Sequence, residues 1–415
     1  MDSYNTTKQK NWKNSLLYLT FIVAILHLIH QSHFSRKLII GNEKVHIKKN
    51  PQLPLRFRSD GTFKILQVAD MHYGSGTITR CRDVLASEFE FCSDLNTTMF
   101  LKRIIQAETP DFIAFTEQTN LVARGIGQSS GWFNQGDNIF GSSAPDAAES
   151  LFEAFGPAME SGLPWAAILG NHDQESTMNR EELMSLISHM DYSVSQINPL
   201  ADSLTDSAKI DGFGNYNLRV YGAPGSILAN SSVLNLFFLD SGDRAVYQGI
   251  RTYGWIKDSQ LQWMRRVSHE LQGQEQDPLH PTPPALAFFH IPIPEVRQLF
   301  YKEIVGRFQE GVACSRVNSP VLQTFVSMGD VKAVFIGHDH KNDFCGNLDG
   351  IWFCYGGGFG YHGYGKVGWP RRARIILAEL QKGKMSWTSV QRIMTWKRLD
   401  DEKLSKIDEQ ILWNR

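Results

Sequence analysis

Apolar residues recur along this chain in two alternating rhythms. Short runs rich in β-branched and aromatic residues, at Phe63–Ala69, Asp111–Thr116, Trp165–Leu169, Val233–Leu239, Leu286–Phe289 and Ala333–Ile336, predict strands. Between several of them, Thr98–Ala107, Ala147–Phe155, Arg180–His189 and Ser259–Leu271 carry the spacing of amphipathic helices. Strands alternating with helices predict an α/β layered architecture. Arg372–Trp396 reads as further strands that close the domain, and no internal repeat or long low-complexity segment interrupts it. The stretch Glu117–Gln135 has neither rhythm. Its Gly, Ser, Gln and Asn content predicts a loop, and one this long inside a compact domain calls for an explanation.

The start of the chain follows a third pattern. Lys8, Lys10 and Lys13 precede Leu16–Ile29, which is apolar apart from Thr20 and His27. A basic segment followed by a short apolar one has the form of a secretory signal. It is short for a bilayer span of roughly 20 residues. No small-x-small cleavage site follows in HQSHFSRK, so an uncleaved signal anchor stays open, as does a buried core helix. The expected organisation is residues 1–33 as signal peptide or signal anchor and 34–60 as a linker. Residues 61–396 form one domain, in which 117–135 is an atypical insertion, and 397–415 a C-terminal tail. The expected location is the secretory pathway: secreted, cell wall or vacuole, or membrane-held through the N-terminal segment alone if that is uncleaved.

Composition adds two constraints. The 42 basic and 43 acidic residues leave a net charge of −1, which argues against bulk attraction to nucleic acid. Of the five cysteines, Cys81 with Cys92 and Cys345 with Cys354 are close-spaced pairs that suit disulfides in an oxidising compartment, leaving Cys314 over. Five reduced core cysteines is the competing reading. Asn96-Thr97-Thr98 and Asn230-Ser231-Ser232 are glycosylation sequons if the chain is translocated.

The chemical signal lies in where the polar residues fall. Four predicted strands run directly into Asp70-Met71-His72, Gly170-Asn171-His172-Asp173, His290 and Gly337-His338-Asp339-His340. In an open α/β sheet, ligands bind outside the carboxyl ends of strands, so these groups are expected to converge on one rim. In an extended segment residues i and i+2 point the same way, so Asp70 with His72, and His338 with His340, are each expected to present two ligands to one side. Imidazole and carboxylate donors together suit Fe, Zn or Mn. Two such ions can clamp the attacking and leaving oxygens of a displacement, given a bridging carboxylate.

The motifs DMH (70–72), GDN (136–138), GNHD (170–173), His290 in FFHIPIPE and GHDH (337–340) resemble, in order, the signature of the calcineurin-like metallophosphoesterases. LDSGD (239–243), YGWIK (253–257) and CYGGGFGYHGYG (354–365) are similar to plant proteins named purple-acid-phosphatase-like, and the likeness spans residues 60–395. The resemblance implies a four-layer α/β/β/α sandwich with its site at one sheet edge. It implies one metal on Asp70, His72 and His340, and a second on Asn171, His290 and His338, bridged by Asp137. It implies that His172 contacts phosphate and protonates the leaving oxygen of a phosphate ester, that Asp173 orients it, and that a water activated by the cations attacks. No Ser or Cys nucleophile is required.

Two features depart from that family's pattern. True purple acid phosphatases place a Tyr ligand where GDNIF has Phe140, while His72 stands where they have Gly; this implies a colourless protein with less preference for Fe(III). Residues 117–135 also separate Thr116 from the Gly136-Asp137 that would otherwise follow its strand directly, a junction that a retained intron would produce. Three outcomes stand open: Asp137 returns to its place, is displaced, or is replaced by Glu117 or Gln118. An inactive relative that binds phosphate or a protein partner is the alternative if the insertion breaks the site. His362 and Tyr364 in the Gly-rich loop are candidate substrate-pocket residues. Asp240 and Asp243 read as turn and capping residues, and Tyr253, Trp255 and Trp263 as core.

Overall fold

The computed structural model describes residues 14–28, 47–116, 146–199, 209–273 and 282–415. The chain divides into two units, Met1–Lys48 and Lys49–Arg415. In the first, residues 14–28 form a helix. Among the described residues, no helix is long and apolar enough to cross a membrane.

In chain order the strands of the second unit begin with β1 (Thr62–Ala69), β2 (Phe112–Thr116), β3 (Trp165–Ile168), β4 (Tyr216–Tyr221) and β5 (Ser232–Phe238). Then come β6 (Arg244–Tyr247), β7 (Ile250–Tyr253), β8 (Ala285–Phe288), β9 (Ile304–Val305) and β10 (Val331–Ile336). The last are β11 (Cys345–Leu348), β12 (Ile351–Tyr355), β13 (Arg372–Lys382), β14 (Trp387–Leu399) and β15 (Lys406–Asn414). One sheet has the order β15-β14-β13-β1-β2-β3, the other β4-β5-β8-β10-β12-β11-β9, and β6 with β7 forms a separate pair. The neighbours β1, β2 and β3 are mutually parallel, as are β5, β8, β10 and β12. Parallel strands covered on both faces read as continuous apolar runs, which is why β2, β3 and β8 are buried at every position.

Ring contacts set the order of layers. Phe112 of β2 meets Phe238 of β5 across the two sheets, with centroids 6.2 Å apart. Phe115, on the opposite face of β2, meets Phe155 of the helix Ala147–Ser161 at 4.8 Å. On β5, Phe237 turns the other way, to Trp263 of the helix Asp258–Gly273 at 6.2 Å. The sequence of layers is helix, sheet, sheet, helix. All six expected strands and all four expected helices are present, displaced at their ends by a few residues at most.

Two readings need correction. Residues 49–60 are folded onto the domain rather than forming a linker: the Lys49 amide donates to Asp191 at 2.8 Å, and Leu55 and Phe57 are buried. Residues 397–415 are not a tail. β14 continues to Leu399, Lys397 is buried 2.6 Å from both Asp343 and Asp408, and β15 pairs antiparallel with β14. Its charge-rich sequence KIDEQILWN hides it, because an edge strand needs little apolar surface. The pair β6–β7 carries no pattern that predicts it, since none of its strand residues is buried.

Both expected disulfides are present, Cys81–Cys92 and Cys345–Cys354, and Cys314 is a buried free thiol. The second joins cross-strand partners of β11 and β12. Asn96 is used structurally: its side chain accepts the Ser93 amide at 3.1 Å in the capping box that starts the helix Asp94–Glu108.

Trp165 has no exposed surface, stacks on Phe155 at 4.6 Å and donates its indole N–H to the Asp191 carbonyl at 2.9 Å. Trp165→Ala is expected to lower unfolding free energy by about 3–5 kcal/mol in urea denaturation, whereas Met385→Ala, at a 99% exposed position, stays within about 0.5 kcal/mol.

Candidate metal centre

The site is assembled from the carboxyl ends of parallel strands in both sheets. β1 delivers Asp70 and His72, β3 delivers Asn171 and His172, β8 delivers His290, and β10 delivers His338 and His340. All seven side chains are buried. The expectation of one shared rim holds, and the rim spans the two sheets.

The route by which Asp70 and His72 converge differs from expectation. Neither is extended: Asp70 has φ 57°, His72 φ 48° and His338 φ 80°. Non-glycine residues reach this left-handed region at a cost of order 1–3 kcal/mol each, and do so where the surrounding structure over-determines them. The turns also send His338 and His340 to different neighbours rather than to one side.

Potential ligand atoms of Asp70, His72 and His340 lie within 4.8 Å of one another. His340 Nε2 is 3.6 Å from Asp70 Oδ1, and the His72 and His340 ring centroids are 4.3 Å apart. A second set adjoins the first. His290 Nε2 lies 3.1 Å from Asn171 Oδ1 and 3.3 Å from His338 Nδ1, while His290 Nδ1 stands 4.0 Å from Asp70 Oδ1. Asp137, and with it Glu117, Gln118 and Phe140, lies outside the described residues. The last described residue before it, Thr116, places its carbonyl 3.4 Å from His290 Nδ1.

Electrostatics ask for a cation here. Burial pushes the Asp70 carboxyl up to about 8, against the opposing pull of the His338 amide, which donates to both its oxygens at 2.9 and 3.1 Å. Burial holds His72, His338 and His340 well below the ordinary imidazole range and brings His290 down to about 3. Neutral imidazoles present lone pairs, and a desolvated carboxylate keeps its charge only beside a positive partner. Asn171 Nδ2 and His338 Nε2 are buried without hydrogen-bond partners among the described residues. The donors fit transition-metal ions.

Neighbouring groups orient these donors. His340 Nδ1 donates to the Tyr364 carbonyl at 2.9 Å, which leaves Nε2 facing Asp70, and the Tyr364 ring stacks on the imidazole at 3.9 Å. The Tyr364 hydroxyl donates to Glu310 at 3.0 Å. Glycine is required at two close approaches. A Cβ at Gly337 would stand 2.9 Å from both Asp70 Oδ2 and the Thr116 carbonyl, and one at Gly363 would stand 2.9 Å from the His340 ring. Tyr364 thus packs on a candidate ligand, and His362 Nδ1 donates to the Arg80 carbonyl at 2.6 Å.

The surroundings of His172 also need correction. Asp173 accepts the Gly170 amide at 2.5 Å and fixes the turn, while the carboxylate beside His172 Nδ1 belongs to Glu175, at 2.8 Å. Arg244 stands over both, with Nη1 2.8 Å from Glu175 Oε1 and Nη2 3.0 Å from His172 Nδ1. Tyr253, read as core, lines the site with its ring 4.5 Å from that of His338; Trp263 is core and Trp255 half-buried. Asp240 keeps its structural reading: it pairs with Arg180, which also donates to the Gly170 carbonyl at 2.5 Å. Asp243 is not a helix cap: it stands at the base of the β6–β7 pair, and burial raises its carboxyl. Sequence reasoning missed Arg244, whose one signal is its place directly after LDSGD.

Fold and donors together define a metallophosphoesterase-type centre, and the comparison with known proteins agrees. The Calcineurin-like phosphoesterase family model matches residues 63–342. The chain belongs to that family. It is 64% identical to "Probable inactive purple acid phosphatase 28" of Arabidopsis thaliana, over 97% of this chain and 96% of that one. It is 50% identical to "Probable inactive purple acid phosphatase 29" of the same plant, over 87% and 88%. A solved structure described as a dimetal phosphatase from Danio rerio aligns over 85% of this chain and 99% of that one, at 13% identity and a TM-score of 0.47.

Tyr364→Ala removes the ring that packs on His340 and is expected to weaken metal affinity about 10–100-fold in a chelator competition titration. Tyr364→Phe keeps ring and carbonyl and is expected to stay within about threefold of the parent.

Proposed function

We propose that this chain is a dinuclear metal-dependent phosphoesterase acting on phosphomonoesters, with diesters as a further substrate class. The observation that carries this reading is the junction at His290. One of its ring nitrogens faces Asp70 at 4.0 Å and the other Asn171 at 3.1 Å, so two buried donor sets share a wall. Asp70, His72 and His340 would hold one ion; Asn171, His290 and His338 would hold the other, with Asp137 as the bridging carboxylate. Fe, Zn and Mn suit these donors. When bound, such ions polarise a phosphoryl oxygen and make a water more acidic.

The chain's own residues do the rest. His172, at the mouth of the cluster, is the proton donor to the leaving oxygen. Glu175 Oε1, 2.8 Å from His172 Nδ1, and Arg244 Nη2, 3.0 and 3.3 Å from its two ring nitrogens, orient the ring. The buried walls limit bulk water around the reacting group. The same reading assigns the chain to the secretory pathway, supported by its two disulfides and by the signal-like residues 1–33. A second reading, a phosphate-binding relative without turnover, is favoured by the names of the two Arabidopsis relatives.

Metal-loaded protein is expected to hydrolyse p-nitrophenyl phosphate. His172→Ala should lower kcat by about 10²–10⁴-fold with bound metal unchanged, and His290→Ala should lose metal and activity together. A metal-loaded parent protein that binds phosphate without turnover would favour the second reading.

A further inference from the structure

The β6–β7 hairpin belongs to neither sheet, yet its base is fixed on both sides of the metal centre. Its two-residue turn, Gln248-Gly249, has φ of 51° and 77°, as a tight hairpin turn demands. An isolated hairpin is marginal in water, so what anchors it is informative. Arg244 and Tyr253 are cross-strand partners at its open end. Arg244 reaches Glu175 and His172 at 2.8 and 3.0 Å, while Tyr253 sets its ring against His338 at 4.5 Å. Further along, Thr252 Oγ1 accepts the Arg316 amide at 2.8 Å. The hairpin therefore carries one cation and one aromatic ring to the two halves of the site.

We propose that Arg244 is the residue that reads the phosphoryl group of the substrate, taking its oxygens beside His172 while Tyr253 forms the facing wall. This rests on the phosphoesterase reading above. A guanidinium presents a rigid fork of N–H donors that matches phosphate oxygens in pairs. The Arg244 side chain is 44% exposed, so part of it remains open to solvent while it holds Glu175. Its contact with His172 joins a cation to an imidazole that already has a carboxylate, an arrangement that gains from an added anion. A phosphate monoester dianion placed between Arg244 and the metal donors supplies that anion. The ligand class is a terminal phosphate with two or more unesterified oxygens; a diester offers the fork fewer.

The test is calorimetric titration of inorganic phosphate into the metal-loaded full chain, with melting temperature and metal content measured alongside. Arg244→Ala is expected to bind phosphate about 10–100-fold more weakly with metal content unchanged, and Arg244→Lys to recover part of the loss. Val246→Ala, at the exposed hairpin tip, should bind as the parent does. Where turnover is measurable, Arg244→Ala should raise KM for p-nitrophenyl phosphate more than it lowers kcat. Unchanged phosphate affinity in Arg244→Ala overturns the proposal even if the parent is an active enzyme. So does an affinity loss that tracks lost metal in Arg244→Ala, since Arg244 would then only hold the site together. Arg244-dependent phosphate binding by a parent without turnover supports this proposal while the catalytic reading fails.

Discussion

The carboxylate of Asp70 is the constraint around which the site is built. It has no exposed surface, yet its neighbours come from both sheets: the His338 amide donates to both its oxygens, His340 Nε2 stands at 3.6 Å and His290 Nδ1 at 4.0 Å. An isolated buried charge costs several kcal/mol, and the chain supplies it with neutral imidazoles rather than with Lys or Arg. Burial pushes the Asp70 carboxyl up to about 8, so it ionises readily at neutral pH only beside a positive partner, and the neutral imidazoles around it offer lone pairs to the same partner. The strained backbone at Asp70, His72 and His338 serves the same end, because those left-handed turns aim the donors inward.

The rest of the fold makes that pocket rigid. β1 and β3 lie in one sheet and β8 and β10 in the other, and the sheets lock through Phe112 with Phe238 and through the Tyr216 hydroxyl, which donates to the Ala167 carbonyl at 2.6 Å. A shift of one sheet against the other would separate Asp70 from His338. Around the rim, Arg180 with Asp240 fixes the Asn171 turn, and Ser241 accepts the Ile291 amide at 2.9 Å beside His290. Hence LDSGD, which carries no metal donor, still bears on the centre.

Much of this was legible in the sequence because the central strands are parallel and buried on both faces, so their apolar runs stand out and their polar ends mark the rim. Asp70, His72, His290, His338 and His340 could all be named in that way. Other parts leave no local trace. The reach of Arg244 to His172 and Glu175 is a long-range contact, and the pairing of His172 with Glu175, though local, depends on the geometry of a short turn that residue type does not reveal. The β6–β7 hairpin buries too little to show a pattern, and β15 is a charged edge strand. Positive φ at an Asp or a His cannot be read from residue type. Tyr253 looked like core because an aromatic ring suits a core and a pocket wall equally well.

The central claim is that two donor sets sharing His290 as a wall hold two ions. The most direct measurement is metal content per chain by plasma mass spectrometry, on protein expressed through a secretory host. Two equivalents of transition metal are predicted; one equivalent or none would contradict the account.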